Sequence, residues 1–104
     1  WQPPEPVEFV SSDLGWTRQQ LALPAIASML VVGGQALSLV KPQYELGRDV
    51  GRGGTVPDEQ LPAILAQVQA HCPSQLEVAG SVESAYRGSG GNREFWLYVV
   101  RRAE

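Results

Sequence analysis

The sequence predicts an α/β domain: a mainly parallel sheet with helical crossovers, in the order β-α-β-α-β-β, whose last strand runs antiparallel. Three observations predict it. β-Branched and aromatic runs alternate with segments of helical periodicity, the pattern of strands joined by crossovers rather than hairpins. The ends of the first two strand-like runs, at Asp13 and Lys41, are separated by about 30 residues, the span of one right-handed crossover unit. The last two runs are joined only by "SAYRGSGGN" (84–92), too short for a crossover, so the final strand must reverse direction.

Each element has a local reason. Residues 1–6 are a proline-rich, linker-like lead, and "VEFVSSD" (7–13) has the composition of a short strand. "TRQQLALPAIASML" (17–30) places Leu21, Ala25, Ile26 and Met29 at helical spacing, with Thr17 and Gln20 as a capping box and Gly33 and Gly34 as the stop. Pro24 lies inside that pattern, where it removes a donor and favours a kink. "QALSLVK" (35–41) is an apolar run suited to burial on both faces. The stretch "PQYELGRDVGRGGTV" (42–56) reads as a long loop without secondary structure. "PDEQLPAILAQVQAH" (57–71) reads as a helix with Pro57, Asp58 and Glu59 at its amino end, where the helix dipole favours acids. "QLEVAGSV" (75–82) is a strand broken or bulged near Gly80, and "REFWLYVV" (93–100) is the last strand, with Trp96 and Tyr98 alternating with Phe95 and Leu97 on two buried faces.

At 104 residues, 43% of them hydrophobic and 18% charged, residues 1–104 make one folded domain rather than two or a disordered segment. A formal charge of −3 excludes the basic footprint of a free-standing nucleic-acid-binding domain, so any such role draws its affinity from elsewhere. The single cysteine, Cys72, makes no internal disulfide, which points to a reducing, cytoplasmic setting. With no second Cys or His beside His71, no metal site is expected. The start on Trp1 rather than Met, followed by "QPPEP", reads as a linker cut mid-course, a piece of something longer.

Ligands of open parallel sheets bind beyond the carboxyl ends of the strands. Asp13 and Lys41 each sit at such an end. The antiparallel last strand brings its amino end, with Arg93 and Glu94, to the same edge. If it inserts beside the strand ending in Lys41, neighbouring strands about 4.8 Å apart gather Asp13, Lys41 and Glu94 into one cluster. A lysine between carboxylates keeps its charge, while partial burial opposes it, so Lys41 is equipped to take a proton from a sugar hydroxyl or to steady the alkoxide as it forms. Solvated strand ends are the alternative.

"SSDLGWTRQQLALPAIASML", "LVKPQYELGRDVGRGGTV" and "GSGGNREF", in this order, resemble the later half of the TlyA/hemolysin-A-type branch of the FtsJ-like methyltransferases. The resemblance runs from about Val7 to Arg101, and "VKPQYE" followed by "VGRGG" is its most specific piece. It implies the C-terminal half of a Rossmann-like methyltransferase sheet, with the antiparallel last strand inserted between parallel ones. It also implies transfer of a methyl group from S-adenosylmethionine to ribose 2′-hydroxyls of RNA, with rRNA as the substrate. The family uses a Lys-Asp-Lys-Glu tetrad. Asp13 takes the aspartate place, Lys41 the second lysine and Glu94 the glutamate. The family's first lysine and glycine-rich cofactor loop have no match in this sequence, so this chain alone is expected to be inactive. "LGWTR" also departs from the "SFIS" that often follows the aspartate.

Other residues are candidate substrate contacts. Arg48 and Arg52, with Gly51, Gly53 and Gly54, present cations and backbone donors to a phosphate, or form a surface lid with no anion. Tyr44 and Glu45 line the substrate pocket, or Tyr44 packs under the loop. Trp16 stacks on a base or caps the core. A second function class is a non-catalytic half-fold module, whose exposed edge strand at 7–12 recruits a second copy or another partner.

Overall fold

Val7–Ser12 (β1) pairs in parallel with Leu30–Val40 (β2) in the computed structural model of the chain, which describes residues 5–13, 18–46, 55–88 and 91–103. Gln19–Met29, between them, is helix α1. Pro42–Leu46 forms the short helix α2, and a 3-10 turn at Asp58–Gln60 leads into α3, Leu61–Ala70. Leu76–Glu83 and Phe95–Arg101 are β3 and β4. The sheet order is β1-β2-β4-β3, and β4 is antiparallel to both of its neighbours. The last strand thus inserts beside the one that ends at Lys41. The expected order of strands and crossover helices stands, with α2 added.

Both crossover helices cover one face of the sheet. Ala36 and Val40 of β2, and Phe95, Leu97 and Val99 of β4, form a single core with Leu23, Ile26 and Ala27 of α1 and Leu61, Ile64 and Val68 of α3. Leu97 and Val99 are fully buried there, while Trp96, Tyr98 and Val100 on the other face are half-buried. Only one face of β4 is therefore sealed by the described residues, which corrects the expectation of two buried faces.

Four local expectations change. Leu21 is 66% exposed and Ala25 points outward, because the inward stripe of α1 runs through Ala22, Leu23, Ile26 and Ala27. Helix α1 ends at Met29, where Leu30 turns extended, and Gly33 and Gly34 fall inside β2 rather than stopping a helix. There the register steps from Val7↔Leu30 to Phe9↔Gln35, so β2 carries the extra residues as a bulge. Gly33 holds φ +83°, and a Cβ on Gly34 would stand 2.9 Å from the Val31 carbonyl and 3.2 Å from that of Glu8, so both positions suit glycine. Third, the loop after Lys41 begins as helix: Pro42 supplies a pre-set φ at its first position, and the Lys41 carbonyl accepts the Tyr44 and Glu45 N–H groups. Finally, the helix expected over 57–71 opens as the 3-10 turn and becomes α-helical at Leu61, with Pro62 tolerated in its first turn. The bulge near Gly80 is where the spacing placed it, between Val78 and Gly80.

Helix α1 is tied to β2 by a buried polar side chain. Gln19, 3% exposed, donates from Nε2 to the Leu39 carbonyl at 2.8 Å and accepts at Oε1 from the Ser38 hydroxyl at 2.7 Å. Ser38 is itself fully buried on the core face. Gln19→Leu would leave Ser38 and the Leu39 carbonyl without these partners, at a cost of roughly 1–3 kcal/mol for each unsatisfied group. Urea denaturation should show the midpoint falling with an unchanged slope.

Candidate active site

Strand register decides which side chains meet at the carboxyl edge of β1 and β2. Val40 pairs with Phe95, so continuing the antiparallel ladder by one residue sets Lys41 opposite Glu94. Ser12 pairs with Ser38 on the other side of β2, which leaves Asp13 within reach of a long side chain at position 41. Lys41 Nζ lies 2.7 Å from Asp13 Oδ1. The Lys41 side chain keeps 17% of its surface and that of Asp13 keeps 58%. The hydrogen bond to Asp13 pushes the Lys41 ammonium above its ordinary value of 10.5, burial pulls it down, and the charges of Asp13 and Glu94 add to the rise. Lys41 is therefore a cation throughout the neutral range.

Glu94 is 6% exposed, and its Oε2 accepts a 2.9 Å hydrogen bond from Gln43 Nε2. Arg93 anchors this end of β4 from the outside. Its guanidinium grips Glu83 at the end of β3 with two hydrogen bonds, of 2.9 and 2.6 Å, reaches Asp58 at 3.6 Å, and lies over the Phe95 ring. That grip holds the Glu83 carboxyl below its ordinary range. Asn92 braces the same turn, accepting the Val56 N–H at Oδ1 at 2.7 Å.

Of the predicted site residues, the structure brings Asp13, Lys41 and Glu94 to one sheet edge. Tyr44 is half-buried on α2 and adds to the electrostatic rise of Lys41. Glu45 faces the other way, toward α1: its Oε2 accepts the Gln19 N–H at 2.8 Å. It does the work of a cap from outside the helix, while Arg18, the residue at the cap position, makes no side-chain cap. Thr17, Trp16, Arg48, Arg52, Gly51, Gly53 and Gly54 lie outside the described residues. Gln43, Asn92 and Gly88 were missed by sequence reasoning, although Gln43 stands inside the most specific motif, "VKPQYE". No group of three or more His, Cys, Asp or Glu among the described residues is placed to hold a metal ion. No described helix is long and apolar enough to cross a membrane.

No family model matches the chain. It is 33% identical over 95 residues to "Putative rRNA methyltransferase YqxC" of Bacillus subtilis, covering 88% of this chain and 34% of that protein. It is 33% identical over 96 residues to the 16S/23S rRNA (cytidine-2′-O)-methyltransferase TlyA of Mycobacterium tuberculosis, covering 89% of this chain and 36% of that protein. The chain thus spans about a third of the length of the curated relatives it matches. Among solved structures, "a putative hemolysin from Lactococcus lactis" superposes with a TM-score of 0.84 at 26% identity, over 94% of this chain and 48% of that one. An O-methyltransferase from Bacillus cereus shares the fold alone, with a TM-score of 0.53 at 14% identity, over 95% of this chain and 42% of that one.

Burial pushes the Glu45 carboxyl above its ordinary 4.5, against the pull of the Gln19 N–H and of Arg18. The folded chain therefore holds this proton to higher pH than the unfolded chain, and the stability associated with Glu45 falls as pH rises through the folded value. Glu45→Gln, which keeps an acceptor and removes the charge, should gain thermal stability relative to the parent between about pH 4 and pH 7. Paired melting curves at the two pH values check it.

Proposed function

This chain belongs with the TlyA-type branch of the FtsJ-like methyltransferases, of which it carries a part, and on that footing we propose that it supplies the Asp13, Lys41 and Glu94 of an RNA ribose 2′-O-methyltransferase. The observation that supports this most directly is the Lys41 ammonium at the carboxyl edge of the sheet, 2.7 Å from Asp13 and opposite a buried Glu94. rRNA is the substrate that the relatives' names favour.

A 2′-hydroxyl must lose its proton as its oxygen gains a methyl group. The charged Lys41 meets that oxygen as a hydrogen-bond donor and steadies the developing alkoxide. To act as a base it must first release a proton, and Asp13, hydrogen-bonded to it and largely open to solvent, is the adjacent acceptor. Glu94 keeps the ammonium charged from the buried side. In this reading Arg48 and Arg52 with the glycines at 51, 53 and 54 contact phosphate, Trp16 stacks on a base, and Tyr44 contacts the substrate, whereas Glu45 is turned to the Gln19 N–H and takes no part. A net charge of −3 means that most of the affinity for RNA comes from elsewhere in the protein. The setting is cytoplasmic, where rRNA is modified.

S-Adenosylmethionine is the methyl donor that the family implies, yet this chain offers it no glycine-rich strand-to-helix turn. The β1–α1 connection contains one glycine, and β2 passes through Lys41 directly into Pro42 of α2. The described residues do not form that cradle.

Lys41→Ala in the complete enzyme should abolish methyl transfer while the circular dichroism spectrum and melting temperature stay close to those of the parent. Retained turnover would sink the assignment.

One observation favours a second role, that of a non-catalytic module. Among the described residues β1 is the outer strand of the sheet, and Phe9 on it is 55% exposed, so residues 7–12 present an open strand edge to a second copy of the chain. Sedimentation velocity over a range of concentrations should then show a monomer–dimer equilibrium that Phe9→Lys weakens. A strictly monomeric species at high concentration rejects it.

A further inference from the structure

Gln43 stands two residues beyond Lys41 in the first turn of α2 and is 6% exposed. Its amide spends one N–H on Glu94 Oε2, at 2.9 Å, across 51 residues of sequence. Gly88 closes the other side of the same carboxylate. A Cβ at position 88 would stand 1.8 Å from Glu94 Oε2, 2.5 Å from its Cδ and 3.1 Å from Gln43 Nε2. The backbone that makes this wall is fixed by its own turn, in which Gly88 N–H donates to the Asn92 carbonyl at 2.8 Å and Gly91 N–H to the Gly88 carbonyl at 3.1 Å. The Glu94 carboxylate is therefore held between a donor and a wall.

The other end of the amide shows what position 43 is for. Gln43 Oε1 is buried without a hydrogen-bond partner among the described residues, a cost that methionine or leucine would avoid. What the glutamine adds over those side chains is the donor to Glu94. A neutral donor also orients the carboxylate without competing for its charge, whereas lysine or arginine at this position would pair with Glu94 and draw it from Lys41.

We propose that Gln43 is a positioning residue, which holds the Glu94 carboxylate against Gly88 and toward Lys41 so that the ammonium sits between two fixed carboxylates. This rests on Lys41 and Glu94 serving methyl transfer as proposed above. Among the described residues, three groups act electrostatically on Lys41: Asp13 from β1's end, Glu94 from β4's start and Tyr44 from α2. Gln43 acts on it only through Glu94, which makes the role testable by coupling.

The test follows the Lys41 side-chain resonance against pH by NMR in the parent, Gln43→Leu, Glu94→Gln and the double variant, and measures methyl transfer by the same four forms of the complete enzyme. Glu94→Gln should lower the Lys41 midpoint, Gln43→Leu should lower it by less, and the double variant should match Glu94→Gln alone. Transfer by Gln43→Leu should fall in kcat by up to about 100-fold, with KM for RNA unchanged and no further loss in the Glu94→Gln background. Gln43→Met, closer in shape and equally without a donor, repeats the comparison if leucine disturbs folding. An unmoved Lys41 midpoint in Gln43→Leu, or additive shifts in the double variant, overturns the positioning role. Coupled titration with undiminished transfer instead overturns the catalytic reading of Lys41 and Glu94.

Discussion

The antiparallel pairing of β4 with β2, in the register that sets Val40 against Phe95, brings Glu94 to the sheet edge where the parallel pairing of β1 with β2 has already set Asp13 beside Lys41. A parallel last strand would carry its amino end, and Glu94 with it, to the opposite edge of the sheet. A slip by one residue would turn Leu97 and Val99 out of the core, since side chains alternate between the faces of a strand. Burial of those two residues against α1 and α3 therefore enforces the same register that sets Glu94 opposite Lys41. Core packing and the placement of Glu94 are consequences of one pairing.

The polar groups behind the site form a second layer with a different task. Gln19 and Ser38 join the start of α1 to β2, and Glu45 reaches back from α2 to the same helix end. Lys41 lies between these two attachments, so the backbone on each side of it is tied to α1. Arg93 performs the equivalent service at the start of β4 by gripping Glu83 and Asp58. These contacts restrict the chain on both sides of Lys41 and beside Glu94, and a fixed backbone at position 41 is what lets the Lys41 ammonium meet the short Asp13 side chain reproducibly.

Much of this was legible from spacing. The alternation of strand and helix patterns, and the short turn before the last strand, placed Asp13, Lys41 and Glu94 at one edge because strand direction and connection length are local properties. The side-chain partners were less legible. Glu45 read as a pocket residue because it stands near Lys41 in sequence, yet α2 turns it toward the Gln19 N–H. Gln43 attracted no role because a glutamine is chemically neutral, and its importance comes from one distant carboxylate. The α1 stripe is illegible for a related reason: Leu21 and Leu23 are equally apolar, and only the direction from which β2 and β4 approach makes Leu23 the buried one.

By itself the sequence determined the order of elements, the crossover between Asp13 and Lys41, the reversal before β4 and the resemblance that "VKPQYE" carries. Hydrophobic periodicity and connection length act within a few residues of each other, so no further contact was needed to read them. Spacing left the insertion of β4 beside β2 conditional and the resemblance implied it; only the tertiary structure decided that helices cover one face of the sheet, that Glu45 caps α1, and that Gln43 and Gly88 enclose Glu94. Each of these depends on groups brought together by packing from distant parts of the chain, a proximity that no local pattern encodes.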